Sequence, residues 1–210
     1  MGPSNIDELI ELLKTEDVLK SPQIELALKS IDRQDFVLSR YKNYAYENRP
    51  LPINHGQTIS EPYTVVFMLE LLDIKEGDTV LDIGSGSGWT TALLAFLTSD
   101  IGHVTALEKI ETIFEFGKEN VAKYHFKNIR QLPALDDALG LPNKKFDRIL
   151  VSAATQSLPK ELLLQLNNGG KMVIPIGNSI YLVTKDAYGD VRTSIYEGFA
   201  FVPLVIDKRS

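Results

Sequence analysis

Three glycines, Gly84, Gly86 and Gly88, stand at alternate positions directly after the predicted strand 79–83. A helix-forming run, 90–97, follows them. Strand, glycine turn and helix in this order are typical of the first unit of a doubly wound sheet, in which a ligand binds at the carboxyl end of the strand. Glycines suit such a turn because the chain bends sharply and the ligand approaches the backbone closely. The stretch therefore predicts a ligand site.

The chemistry of that ligand is indicated by the glycine spacing and by Asp82. In the dinucleotide fingerprint G-x-G-x-x-G the third glycine comes one residue later than it does here. That turn aims a helix N-terminus at a pyrophosphate, which Asp82 in the same crevice would repel. S-adenosyl-L-methionine carries an ammonium and a sulfonium and no phosphate, so a carboxylate suits it. We predict this cofactor; the alternative is an ordinary tight turn between packed elements.

A second acidic residue, Glu108, ends the predicted strand 102–108, about 20 residues after the glycine turn, where this fold binds the ribose of a nucleoside. A carboxylate there can accept hydrogen bonds from two adjacent hydroxyls because it has two oxygens. The alternative is an acid favoured by the dipole of the next helix. Beyond the following strand, 128–132, we expect Asp136 or Asp137 to accept a hydrogen bond from an adenine amino group.

Residues 41–60 contain three tyrosines, two prolines and His55 with no clear period. We expect an irregular loop of a length that is usually functional. Ser60 is predicted to cap the next helix, with Pro62 in the first turn. The sharper alternative is that the Ser60 hydroxyl also meets a substrate carboxylate. His55 alone, in a chain without cysteine, does not indicate a metal site.

Composition restricts the possible functions of the chain. Its 210 residues suit one large domain, and a net charge of −6 argues against non-specific binding of nucleic acid. The absence of cysteine excludes disulfides, a thiolate nucleophile and zinc–cysteine sites. The first residues lack the apolar core of a signal peptide, and no apolar run is long enough to span a bilayer. We expect a cytoplasmic protein with neither nucleic-acid nor membrane partners.

Alternating strand and helix patterns predict the elements that position these residues. Two amphipathic helices precede the first strand, and a strong turn is expected at 167–170. The fold class predicted is α/β: a doubly wound, mostly parallel sheet of seven strands with an N-terminal helical cap and an antiparallel C-terminal strand. We expect one domain, 1–210, in which residues 1–60 form the cap and substrate loop and residues 61–210 form a Rossmann-like core. The predicted strands are 79–83, 102–108, 128–132, 146–152, 172–177, 181–184 and 191–201.

Five segments of the chain together resemble the protein-L-isoaspartate O-methyltransferase family: Asn54–Ser60, Leu81–Trp89, Ser152–Ala154, Gly169–Gly177 and Phe201–Leu204. The likeness covers nearly the whole chain. The glycine motif is shared by many methyltransferases, whereas residues 56–60 are much more particular to this family. The resemblance implies transfer of a methyl group from S-adenosyl-L-methionine to the α-carboxylate of L-isoaspartyl residues in damaged proteins, which initiates their repair. The product would be S-adenosyl-L-homocysteine, and the enzyme is expected to be a monomer.

The resemblance also implies roles for particular residues. Ser60 is the expected catalytic residue. The expected substrate residues are His55, Ser60, Ala154, Val202 and Leu204. The expected cofactor residues are Gln57, Thr58, Ile59, Ser60, Asp82, Gly84, Ser85, Gly86, Gly88, Glu108, Lys109, Leu135 and Asp136.

Three positions depart from the family pattern. The chain has 134–137 where the family usually has Gly-Asp-Gly, Asn54 where glycine is common, and Val205 where threonine is common. Two other functions stay open. One is methylation of a different acceptor, a small molecule or RNA. The other, motivated by Leu135 and Val205, is binding of the cofactor without catalysis.

Overall fold

The computed structural model describes residues 2–205, so the outermost residues of the expected domain, 1 and 206–210, lie outside it. The chain begins with the helical cap, formed by helices α1 (Ile6–Thr15) and α2 (Pro22–Ser30). Two short 3-10 helices follow, Arg33–Phe36 and Ser39–Tyr44. Buried apolar residues of the cap belong to the same hydrophobic core as those of the helices that flank the sheet.

The prediction of an irregular loop over residues 41–60 is wrong for the second half of that range. Strands β1 (Leu51–Asn54) and β2 (Gln57–Ile59) form an antiparallel hairpin there. Leu51, Ile53 and Ile59 are buried, so the hairpin turns one face towards the core. These strands have four and three residues, which is too short for the period-of-two pattern to stand out in the sequence.

The predicted α/β fold is confirmed by a sheet of seven strands. The strands lie in the order β5-β4-β3-β6-β7-β8-β9; β5 to β7 are parallel, and β8 is antiparallel to both neighbours. The strands are β3 (Thr79–Ile83), β4 (His103–Glu108), β5 (Ile129–Pro133), β6 (Phe146–Val151), β7 (Leu166–Ile176), β8 (Ser179–Lys185) and β9 (Val191–Glu197). The accompanying helices are α3 (Pro62–Leu72), α4 (Trp89–Thr98), α5 (Glu111–Ala122) and α6 (Lys160–Gln165).

The strand order reverses at β3, which pairs with β4 on one side and with β6 on the other. Crossovers on the two sides of such a point leave a crevice outside the carboxyl ends of the strands, where open α/β sheets bind ligands. The glycine turn predicted from the sequence follows β3 directly. The topology therefore places that turn at the expected ligand position.

Two predicted boundaries in the C-terminal half are wrong. The expected turn at 167–170 lies inside β7, as a bulge: Phe146 pairs with Leu166, whereas Arg148 pairs with Lys171. A Cβ on Gly170 would lie 2.8 Å from the Asn167 carbonyl oxygen, so this glycine serves close packing, whereas Gly169 permits a positive φ of 79°. The predicted last strand, 191–201, ends at Glu197 because the chain turns at 198, a glycine with φ of 95°. Within residues 2–205, no helix has both the length and the apolar character needed to cross a bilayer.

Candidate active site

A cavity of about 630 Å³ opens at the carboxyl ends of β3, β4, β5 and β6. The hairpin of β1 and β2 forms part of its wall, and so does the segment 202–205. The fold brings most of the predicted site residues together at this cavity: Gln57, Thr58, Gly84, Gly86, Glu108, Lys109, Leu135, Asp136, Ala154, Val202 and Leu204.

The three glycines of the turn have φ values of 77°, 54° and 87°, in the region that favours glycine. They serve different purposes. A Cβ on Gly88 would lie 2.7 Å from Val121 Cγ2 and 2.8 Å from the carbonyl oxygen of Gly117, so this position is filled by α5. A Cβ on Gly84 would meet only Ala153 Cβ, at 3.9 Å, because Gly84 faces the cavity. The first glycine leaves space for a ligand, and the third permits close packing.

Glu108 is 8% exposed and its carboxylate lies at the cavity wall. Its Oε2 accepts a hydrogen bond from the amide of Gly86 at 2.9 Å. Its Oε1 accepts from the amides of Lys109 at 2.8 Å and Ile110 at 2.9 Å. A carboxylate has about four acceptor positions, so this group fixes the glycine loop to β4 and keeps acceptor capacity for a ligand hydroxyl.

Asp82 does not line the cavity, contrary to the expectation of two acids in the crevice. Its side chain is fully buried, and Thr91 Oγ1 of α4 donates a hydrogen bond to it at 2.6 Å. Successive side chains in a strand point to opposite faces, and the next residue, Ile83, is the one that reaches the cavity. Burial, with a smaller effect of the Glu108 charge, raises the pKa of Asp82 to about 7.

Ser60 does not cap α3, so that prediction is wrong. The helix begins at Pro62 with Glu61 as its N-cap residue, and the Glu61 carboxylate accepts a hydrogen bond from Thr64 Oγ1 at 2.8 Å. The Ser60 main chain is used instead: its carbonyl oxygen accepts from Arg33 Nη2 at 2.8 Å. Ser60 is half-buried beside the hairpin, outside the residues that line the cavity. A role for its hydroxyl stays a prediction.

Four other predicted residues also lie off the cavity wall: His55, Ile59, Ser85 and Gly88. His55 is exposed at the hairpin tip, where its Nε2 is 2.8 Å from Thr112 Oγ1 at the start of α5. Ile59 is buried in the hydrophobic core. The tip has three consecutive positive φ values, 92° at Asn54, 48° at His55 and 70° at Gly56. The value at Asn54 explains why a glycine suits that position.

The loop after β5 also lines the cavity. Lys109 forms an ion pair with Asp136, and this hydrogen bond lowers the pKa of the Asp136 carboxyl. Leu135 lines the cavity and is 43% exposed. One of the two carboxylates expected near the adenine, that of Asp136, is therefore already paired with a lysine, and an apolar side chain precedes it in the chain.

Sequence reasoning missed several wall residues, including Ile53, Ile110 and Glu161. It also missed the support of the loop 134–140. Gln165 is buried, its Oε1 accepts from the amide of Leu141 at 2.7 Å, and its Nε2 donates to the carbonyl of Leu139 at 2.8 Å. A lone glutamine in a helical pattern gives no signal of this contact.

The segment 202–204 is joined to the sheet by main-chain hydrogen bonds. The amide of Ala154 donates to the carbonyl of Val202, and the amide of Leu204 donates to the carbonyl of Ala154, both at 2.8 Å. The bridge is parallel and centred on Ala154 and Pro203. These bonds place the predicted substrate residues Ala154, Val202 and Leu204 on one wall.

The seven-stranded sheet, the glycine loop at its switch point and the acid at the end of β4 define an α/β methyltransferase of the S-adenosyl-L-methionine-dependent class. The sequence profile of the protein-L-isoaspartate(D-aspartate) O-methyltransferase family matches residues 4–209. The chain belongs to this family.

Curated relatives and a solved structure agree with this assignment. Protein-L-isoaspartate O-methyltransferase of Pyrococcus horikoshii is 40% identical over 202 residues, which cover 93% of this chain and 90% of the relative. Protein-L-isoaspartate O-methyltransferase 1 of Archaeoglobus fulgidus is 40% identical over 200 residues, with coverage of 93% and 91%. A Plasmodium falciparum protein described as a beta-aspartate methyltransferase was crystallised with S-adenosyl-L-homocysteine. It is 25% identical, with a TM-score of 0.86 and coverage of 98% of this chain and all of that one.

Proposed function

We propose that this chain methylates the α-carboxylate of L-isoaspartyl residues in damaged peptides and proteins, with S-adenosyl-L-methionine as the methyl donor. The observation that carries the proposal is the cavity described above. Its lining combines Gly84, Gly86 and Glu108 at the switch point of the sheet with residues of the hairpin and of the segment 202–204. Membership of the family supports the reaction. We place the enzyme in the cytoplasm as a monomer.

The cavity fits the cofactor chemically. Glu108 presents carboxylate oxygens suited to ribose hydroxyls, and Gly84 leaves space where a side chain would stand. In addition to Glu108, three other acidic residues line the cavity: Asp136, Asp137 and Glu161. These carboxyl groups favour a cationic ligand. When bound, S-adenosyl-L-methionine supplies a methyl group on a positively charged sulfur.

The chain's own contribution is to bind and to orient. The substrate carboxylate is ionised at neutral pH, so no general base is needed to deprotonate it. The rate then depends on holding the carboxylate oxygen in line with the methyl carbon and the sulfur. Gln57 and Thr58 of the hairpin supply polar groups at the cavity, and we assign to Ser60, which follows them, the orientation of the carboxylate.

The substrate is proposed to be an extended peptide segment in the groove between the hairpin and residues 201–205. Ala154 and Val202 are joined there through main-chain hydrogen bonds, and the side chains of Val202 and Leu204 are half-buried. A wall of this kind favours recognition by backbone and apolar contact rather than by a particular side chain.

The proposal is tested with radiolabelled methyl donor and two peptides that differ only in one aspartyl or isoaspartyl linkage. Base-labile label on the isoaspartyl peptide alone is expected. Label on both peptides, or transfer only to RNA or a small molecule, would support the alternative of a different acceptor. Binding of S-adenosyl-L-homocysteine without any turnover would support the homologue without catalysis, for which Leu135 and Val205 at the cavity wall are the motivating residues.

A further inference from the structure

Arg33 is a buried cation whose partners are main-chain oxygens. Its side chain is 1% exposed, in the first 3-10 helix. Its Nη1 donates to the carbonyl of Ala45 at 2.6 Å, and its Nη2 donates to the carbonyls of Ser60 at 2.8 Å and Arg49 at 3.2 Å. A longer contact of 3.5 Å joins Nη1 to the carbonyl of Glu47. One guanidinium therefore ties the turn 45–49 to the end of the hairpin.

The same guanidinium also contacts the start of α4, the helix that follows the glycine loop. Arg33 Cζ lies 5.2 Å from the centre of the Trp89 ring, within the range of a cation–π interaction. Trp89 is the first residue of α4 and follows Gly88 directly. Arg33 thus connects the cap, the hairpin and the cofactor loop, three segments that are far apart in the sequence.

Burial of the Arg33 guanidinium costs free energy, which its hydrogen bonds to carbonyl oxygens offset. Burial lowers the pKa of Arg33 to about 9, so the side chain is charged at neutral pH. Among residues 2–205, its Nε has no hydrogen-bond partner. An apolar side chain in its place would leave the carbonyl oxygens of Ala45 and Ser60 without this donor, at a cost in free energy. What the guanidinium adds is geometry, because its planar fork directs several donors at fixed angles.

We infer that Arg33 is a positioning residue for methyl transfer, which fixes the hairpin over the glycine loop so that Ser60 meets the substrate carboxylate. The inference rests on the proposed function. A lysine at this position would keep the charge but would bring a single ammonium in place of the fork. The hairpin would then keep its fold and lose its exact placement over the cofactor loop.

The test compares Arg33→Lys with Arg192→Lys, a matched change on the exposed strand β9. For Arg33→Lys we expect kcat/KM for an isoaspartyl peptide to fall at least tenfold, while the Kd of S-adenosyl-L-homocysteine changes less than threefold. Hydrogen exchange should increase in residues 45–60 and stay unchanged in β3 and β4. Arg192→Lys should match the wild type in all three measurements.

A second variant, Trp89→Leu, removes the ring under the guanidinium and leaves the carbonyl contacts. We expect it to give a smaller loss of peptide kcat/KM with the same unchanged cofactor affinity, which keeps the inference testable if Arg33→Lys fails to fold. Wild-type peptide kinetics in Arg33→Lys, or a parallel loss of cofactor affinity and peptide turnover, would overturn it. If the wild type itself does not methylate isoaspartyl peptides, the proposed function fails. In that case, an increase in hydrogen exchange of Arg33→Lys that is confined to residues 45–60 would still show that Arg33 positions the hairpin.

Discussion

The carboxylate of Glu108 accepts a hydrogen bond from the amide of Gly86, with 2.9 Å between Oε2 and the nitrogen. The end of β4 is thereby joined to the middle of the loop that follows β3. The two features that indicated a cofactor in the sequence, an acid and a glycine turn, stabilise each other before any ligand is considered. Glu108 therefore has two tasks, to shape the loop and to bind.

Glu108→Gln is expected to weaken binding of S-adenosyl-L-homocysteine by about 10- to 100-fold, because hydrogen bonds to a charged group contribute about 1.5–3 kcal/mol. The amide would also set an NH₂ group against main-chain N–H donors that now face carboxylate oxygens. Isothermal titration calorimetry measures the change, with Glu119→Gln on the exposed side of α5 as the control. An affinity equal to that of the wild type would exclude Glu108 from the cofactor site.

Asp82→Asn is expected to change how stability depends on pH. The folded-state pKa of about 7 lies above the ordinary value of 3.8, so the folded protein holds a proton that the unfolded chain has lost. Asp82 therefore makes the wild type less stable as the pH rises from about 4 to about 7, by roughly 1.4 kcal/mol for each unit of pKa difference, and adds no slope above that range. Urea unfolding without cofactor at pH 5, 6, 7 and 8 gives the free energy of unfolding of both proteins. Relative to the wild type, the value for the variant should rise with pH up to pH 7. If the free energy of unfolding depends on pH in the same way in both proteins, Asp82 does not have the raised pKa expected from its burial.

Alanine at two positions of the glycine loop is expected to give different defects. Gly88→Ala should lower the free energy of unfolding by about 2–5 kcal/mol, because overpacking against Val121 and Gly117 adds to the strain of a positive φ. Gly84→Ala should lower it by only about 1–2 kcal/mol, since its Cβ meets open space. It should weaken binding of S-adenosyl-L-homocysteine, because the methyl group stands in the cavity. Thermal unfolding and calorimetry measure both effects, and an equal loss of stability in the two variants would refute the distinction.

Ser60→Ala is expected to slow methyl transfer by about 10- to 100-fold, the effect of losing one hydrogen bond to a charged carboxylate. The Kd of S-adenosyl-L-homocysteine should change little, because the hydrogen bond lost is to the substrate carboxylate and not to the cofactor. Initial rates with the isoaspartyl peptide measure the change, and Ser194→Ala on the exposed strand β9 is the control. An unchanged rate would leave Ser60 with only its carbonyl contact to Arg33.

The sequence was sufficient to predict the sheet because its central parallel strands, β3, β4 and β6, are buried on both faces and contain mostly apolar residues. The glycine loop and Glu108 were also predictable, since their spacing follows from the chain path of the first two strands. The orientation of the Asp82 side chain was not predictable, because it depends on which face of β3 packs against α4. The hairpin and the Arg33 contacts were missed for a different reason: short strands and bonds to carbonyl oxygens leave no periodic trace.

The cavity is built from parts of the chain that are synthesised far apart in time. The hairpin at 51–59 leaves the ribosome first, the glycine loop next, and the strip 202–204 that hydrogen-bonds to Ala154 only after the whole sheet. In a nascent chain the hairpin and the glycine loop are thus already present while the wall formed by 202–204 is still missing. The groove proposed for the peptide is therefore completed only by the last part of the described chain.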